Sequence, residues 1–173
     1  MDAAPLGTVI AVWPHSGRPA DLVRELKYGR ATSVVTELAD AMAPLVGDVD
    51  MISWVPASPT RRRTRGFDQG ELLARAIARR RKVPVRRLLR RRDDVAQTAR
   101  DLSGRLDGPE VAAAGRRLRF LPSILLIDDV VTTGSTLRAA AAALSTRGAG
   151  EISALVATRA LCFYRETRTR SEV

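Results

Sequence analysis

Cysteine is nearly missing from this chain. Cys162 is the only one among 173 residues, so no disulfide can close within the chain and no cysteine-rich zinc site can be built. It stands in the apolar run Ala-Leu-Cys-Phe-Tyr, which predicts a buried structural thiol, since no adjacent cation would favour a thiolate. Histidine is as scarce. His15 alone cannot form a His-based metal site, and triad hydrolases lose their usual general base; its place between Pro14 and Ser16-Gly17 predicts a turn. Lysine is reduced to Lys27 and Lys82, and aromatics, at 4%, leave few rings for stacking. No uncharged stretch reaches the ~18 residues of a transmembrane helix. The N-terminus carries no basic segment leading into an apolar one, the mark of a secretory signal. Neither G-x-G-x-x-G nor a Walker-type loop is present. At 45% hydrophobic the chain is too apolar for disorder. These absences leave a cytoplasmic protein without membrane insertion, expected to be one domain over 1–173 with one core.

Positive charge is abundant but local. The formal charge is +10; between Arg61 and Arg92 stand 14 basic residues against Asp68 and Glu71, a local +12, while the remainder carries −2. A uniformly basic, histone-like chain is excluded. Inflated arginine usage explains arginine over lysine, but not the clustering.

Apolar periodicity gives strands alternating with helices. Thr8 to Trp13 reads as a strand. Leu22, Val23 and Leu26, then Val34 to Leu45, recur at helical spacing, with Gly29 between the two helices and Gly47 after the second. Met51 to Val55 reads as a buried strand stopped by Pro56. A helix capped by Asp68 follows, its Leu72, Leu73, Ala76 and Ile77 facing a core and Arg75, Arg79 and Arg80 facing away. Val85 to Arg92 is a weaker strand. The stretch from Asp93 to Arg117 lacks a long apolar period and reads as an excursion with a short helix, outside the core. Ile124 to Ile127 is the clearest strand, Gly134 to Arg147 a helix, and Ile152 to Thr158 a final strand. Such alternation implies an α/β fold, a parallel sheet flanked by helices.

The richest string is I-L-L-I-D-D-V-V-T-T-G-S-T, from Ile124 to Thr136. A buried strand delivers Asp128 and Asp129 to its carboxyl end, where open α/β sheets bind ligands. Thr132, Thr133, Gly134, Ser135 and Thr136 then turn into a helix, offering backbone N–H groups, hydroxyls and the positive helix end to a phosphate. Asp-Asp alone fits a structural role, and Thr/Gly/Ser alone fit turn and cap chemistry. In this order the parts suit a ligand with hydroxyls, or a divalent cation, beside a phosphate; a ribose 5-phosphate meets that description.

The string resembles the phosphoribosyl-pyrophosphate (PRPP) motif of type I phosphoribosyltransferases. The resemblance implies that Asp128 and Asp129 are the catalytic pair, meeting the ribose hydroxyls directly or through Mg²⁺-bound water, and that Thr132 to Thr136 bind the 5-phosphate. Val55 to Gln69, V-P-A-S-P-T-R-R-R-T-R-G-F-D-Q, would then open a Pro-rich, arginine-bearing loop on the same sheet edge. Arginine forks suit a pyrophosphate, with Pro56, Ala57, Arg61 and Arg65 the chosen contacts; a solvated loop or a nucleic-acid contact is the other account. The segment is similar to V-P…R-G-F-N-Q of the ComF family within the phosphoribosyltransferase-like proteins. Leu26-Lys27-Tyr28 resembles that family's L-K-Y element, and Leu88-Leu89, Arg92, Gln97, Leu102 and Arg105 resemble its hood segment, expected over about 93–119. Lys27 is either a solvated helix-end residue or a phosphate ligand, Tyr28 a packing residue, and Gln97 and Arg105 hood contacts or surface groups. Three departures stand out: the four-cysteine zinc module common in that family is missing, so no zinc is expected; Asp68 replaces the asparagine of R-G-F-N-Q; and Asp107-Gly108 occupy the place of the late hood asparagine.

What the resemblance implies is transfer of phosphoribosyl from PRPP to an unidentified acceptor with Mg²⁺ and release of pyrophosphate. The alternatives are a PRPP-sensing regulator without catalysis, and a competence or DNA-uptake accessory protein whose partners are single-stranded DNA or a helicase-type competence protein. A homodimer is a further expectation.

Overall fold

The computed structural model describes residues 6–28, 32–91 and 111–160. Four parallel strands form the central sheet in the order β1-β6-β5-β2, where β1 is Val9–Pro14, β2 Met51–Trp54, β5 Ile124–Val131 and β6 Ile152–Arg159. Helices α1 (Gly17–Tyr28), α2 (Thr32–Met42) and α4 (Gln69–Arg81) pack on one face, and α5 (Ser135–Ser145) covers the other. The expected parallel α/β sheet is therefore present.

The two central strands read as continuous apolar runs because both of their faces are covered. Along β5, Leu125 and Ile127 join the cluster of Leu26, Leu38, Met42, Leu73 and Ile77, whereas Ile124 and Leu126 join Leu137, Ala140 and Leu144 of α5. That is the period-two alternation of a strand feeding two cores.

Several boundaries differ from the sequence expectation. Helix α2 stops at Met42 and tightens into a 3₁₀ turn over Ala43–Leu45, five residues before Gly47, because Pro44 lacks an N–H and disfavours α geometry in the residue before it. Val85 touches β2 only through a single parallel bridge to Ile52. The strand that follows is just β3 (Leu89–Arg91), paired antiparallel with β4 (Val111–Ala113) in a separate two-stranded sheet. Val111–Ala113 thus belongs to regular structure, although it fell in the stretch expected to lie outside the core; residues 92–110, which include Gln97 and Arg105, lie outside the described residues, as does Cys162.

The loop after β2 also holds an element absent from the sequence expectation, α3 (Pro59–Arg65). Ser58 caps it, its side chain accepting from the Arg61 N–H, Pro59 occupies the first turn, and Gly66 closes it at φ 74°. Ser-Pro at the start and Gly past the end is the usual helix asymmetry. Asp68 then caps α4 as expected, accepting from the Glu71 N–H at 3.3 Å, and also ties back the loop by accepting from the Ala57 N–H at 3.0 Å. Gly70 lies so close to the end of β2 that a Cβ would sit 3.0 Å from the Val55 carbonyl. Among the described residues no helix is long and apolar enough to cross a membrane.

Because Asp68 is buried and satisfies two backbone donors, Asp68→Ala is expected to lower unfolding free energy by about 1–2 kcal/mol. Asp68→Asn, which keeps an acceptor oxygen, should lose less. Urea unfolding of both variants checks the ordering.

Candidate active site at the carboxyl edge of the sheet

Strand β2 ends early and β5 does not. Their register closes at Trp54 opposite Ile127, with a last hydrogen bond from the Val55 N–H to the Ile127 carbonyl at 3.0 Å. Pro56 then has no N–H to continue the ladder. On its other side β5 stays paired with β6 as far as Val131 opposite Arg159. Asp128 and Asp129 therefore lie within a strand that continues four residues past the expected Ile127, on a stretch whose β2-side neighbour has already turned away.

Being adjacent on a strand, the two acids meet different surroundings. Asp129 is buried, and its Oδ2 lies 3.4 Å from the Lys27 Nζ of α1. This is an ion pair without a directed hydrogen bond, since the same oxygen has no hydrogen-bond partner. Asp128 keeps part of its surface in solvent but is packed closely enough that burial pushes its carboxyl well up. The negative charge of Asp129 adds to the rise, while the Asp129 N–H, which donates to Asp128 Oδ1 at 2.8 Å, and the charge of Arg91 on β3 oppose it. Asp129 thus has Lys27 of α1 as its cation while one of its oxygens stays without a hydrogen bond, and Asp128 is held up by burial.

The loop beyond β5 holds the expected residues together. Thr132 and Thr133 are exposed, Gly134 takes φ 74° as the N-cap of α5, and the Ser135 N–H and Oγ both lie near Thr133 Oγ1, at 3.4 and 3.1 Å. The sequence expectation missed Arg138. A Cβ on Gly134 would lie 3.2 Å from Arg138 Nη1, so this guanidinium folds back over the loop from one turn into α5. Its spacing of four from Gly134 was the available signal.

Helix α3 divides the expected pyrophosphate set. Pro56 and Ala57 line a cleft of about 340 Å³ together with Arg62, Arg63, Arg87 and Arg91. Arg61 and Arg65 line a different cleft, of about 300 Å³, with Lys27, Tyr28 and Phe67. The Ala57 N–H is already engaged by Asp68. Arg65 has a buried Nη1 without a partner, and its guanidinium carbon lies 6.0 Å from the centre of the Tyr28 ring. Tyr28, expected to pack, is 83% exposed: it is the last residue of α1, beyond the apolar stripe of Leu22, Val23 and Leu26. His15 is more than a turn residue, with its Nδ1 2.8 Å from Thr158 Oγ1, which in turn donates to the Asp129 carbonyl at 3.4 Å.

No family model matches the sequence, and no curated protein sequence matches it. Solved structures do. Glutamine phosphoribosylpyrophosphate amidotransferase from B. subtilis, complexed with ADP and GMP, matches with a TM-score of 0.54 and 16% identity over 78% of this chain and 30% of that one. A structure described as the allosteric regulatory enzyme of purine biosynthesis matches with a TM-score of 0.54 and 17% identity over the same shares. The fold is that of the type I phosphoribosyltransferases. This chain spans about 30% of the length of those two proteins. Within the fold, the acid-bearing strand end and the loop into α5 occupy the open carboxyl edge, the place where open α/β sheets bind ligands.

Two outcomes follow from this geometry. A carboxyl raised in the folded state binds its proton more tightly there, so stability falls as pH rises from the ordinary carboxylate range towards the raised value. In a buffer free of divalent cations, Asp128→Asn should therefore melt above the wild type at neutral pH, and the difference should vanish below pH ~4; equal melting at neutral pH would contradict the burial described. Gly134→Ala should cost about 1–2 kcal/mol, because an L-residue strains at this φ, as read by urea unfolding.

Proposed function

We propose that this protein transfers the phosphoribosyl group of PRPP to an acceptor nitrogen and releases pyrophosphate. The observation that carries the proposal is the pair of under-compensated acids, Asp128 and Asp129, two residues ahead of an anion-accepting loop on the open edge of this fold. Thr132 to Thr136 hold the 5-phosphate, with backbone N–H groups and the positive end of α5 supplying attraction and Arg138 closing over it. The ribose hydroxyls donate to Asp128 and Asp129, which gives the orphaned Asp129 Oδ2 a partner. Arg61 and Arg65 take the pyrophosphate, beside Lys27, on the loop that Pro56 and Ala57 begin.

The donor set also suits Mg²⁺, a hard cation that prefers carboxylate, phosphate and water oxygens, and when bound it would offset charge on the pyrophosphate. Among the described residues no group of three or more His, Cys, Asp or Glu could hold a metal ion; in this reading the cation arrives with PRPP.

In the transfer, the bond from C1 to the pyrophosphate oxygen breaks and its electron pair leaves with the pyrophosphate. C1 gains oxocarbenium character, the lone pair of the acceptor nitrogen forms the new bond, and a nitrogen proton passes to solvent. The chain's part is positioning and electrostatics: arginines stabilise the leaving charge and the acids orient the ribose, with no covalent protein nucleophile.

Calorimetry should show PRPP binding that depends on Mg²⁺, weakened at least ~100-fold in the double variant Asp128→Asn/Asp129→Asn through loss of charge-assisted hydrogen bonds. Failure of the wild type to bind PRPP would overturn the proposal.

A further inference from the structure

The two clefts beside α3 differ in what faces them. Thr60, Arg61, Thr64 and Arg65 line one, while Pro59, Arg62, Arg63 and Gly66 line the other. At 100° per residue these sets occupy nearly opposite sides of the helix. Each cleft also holds a cation whose charge acts on one of the acids. The first holds Lys27, the ion-pair partner of Asp129; the second holds Arg91, whose charge acts on Asp128. Positive charge thus acts on the acid pair from both clefts, although a single leaving pyrophosphate needs only one.

The second cleft is built of donors. Its only carboxylate, Asp68, spends both oxygens on the N–H groups of Ala57 and Glu71. Among the described residues, the side chains of Arg62, Arg63 and Arg87 meet no carboxylate, whereas Arg18, Arg24, Arg75 and Arg80 each do. A neutral ring with N–H donors would find no free side-chain carboxylate there; an oxyanion would find several guanidinium forks. The volume of about 340 Å³ suits a small molecule.

Resting on phosphoribosyl transfer as proposed above, we infer that the cleft of Arg62, Arg63, Arg87 and Arg91 receives the acidic group, carboxylate or phosphate, of an anionic nitrogen acceptor. Displacement at C1 with the nucleophile opposite the leaving group explains why two such clefts sit on opposite sides of α3: pyrophosphate departs towards Arg61 and Arg65, and the acceptor enters from the side of Arg62 and Arg87.

Matched pairs test this on the full chain: nicotinate against nicotinamide, anthranilate against aniline, and 2-aminoethyl phosphate against ethanolamine. Calorimetry in the presence of Mg²⁺ and ribose 5-phosphate measures their binding, and a separate titration measures PRPP. In at least one pair the acid should bind tenfold or more tightly than its counterpart lacking the acidic group; the first two pairs report a carboxylate and the third a phosphate. Arg62→Gln/Arg87→Gln, which leaves Arg91 intact, should erase that preference while PRPP affinity stays within twofold. No acid preference in any pair, or a preference that survives the double substitution, overturns the inference. A tenfold or greater loss of PRPP affinity in the double variant assigns the cleft to pyrophosphate, overturning the acceptor role while transfer stands. A wild type that binds the acids but not PRPP sinks the transfer itself, and the acceptor role with it.

Discussion

The whole site depends on a mismatch in strand length. Pro56 ends β2 just after the Val55 N–H has bonded to Ile127, while β6 carries β5 on to Val131. Had β2 continued, its backbone would have paired with the stretch that bears Asp128 and Asp129, and nothing could approach from that side. Because it stops, the chain turns into Ser58-capped α3, and the arginines of that helix line clefts on its two sides. The turn is held from below by Asp68, which joins the Ala57 N–H to the start of α4, and by Gly70, whose missing side chain lets α4 press on Val55.

Charge is arranged around this opening rather than balanced within it. Away from the site, arginines are matched with acids: Arg75 with Glu71 on α4 and Arg80 with Asp40 of α2. These exposed pairs add little stability, and they engage two of the four arginines of α4. At the site the sums are left open. Asp128 is raised by burial, Asp129 has an oxygen without a hydrogen bond, and Arg65 has a buried nitrogen without one. Burying charges without full compensation costs folding free energy, and a polyanionic ligand that arrives with a cation can offset that cost. The local +12 is thus partly matched by acids on α4, while the side chains of Arg62 and Arg63 on α3 meet no carboxylate among the described residues.

Much of this was legible in the residues. The run from Ile124 to Thr136 declared a buried strand, two acids and a turn into a helix in their order along the chain, because each step uses a local signal: apolar continuity, carboxylates, Gly and hydroxyls. Asp68 was legible as a cap for the same reason. Helix α3 was legible in principle, from Ser58-Pro59 and Gly66, but four arginines nearby drew attention to charge instead of to capping. The three-residue strands β3 and β4 were not legible, since elements this short carry almost no periodicity and exist through their pairing. Tyr28 read as a packing residue, yet its position at the end of α1 leaves it in solvent.

The sequence by itself determined the α/β class, the acid-bearing strand and the residues of the loop that follows, all of which rest on interactions between neighbours along the chain. Only the tertiary structure decided that Lys27 stands against Asp129, that the charge of Arg91 acts on Asp128, that Arg138 folds over Gly134, and that α3 sends its arginines into two clefts instead of one. Lys27 and Asp129 stand a hundred residues apart in sequence, and no local pattern encodes which groups packing will bring together; the direction of each arginine follows from where α3 sits on the sheet edge, and that is set by the early end of β2.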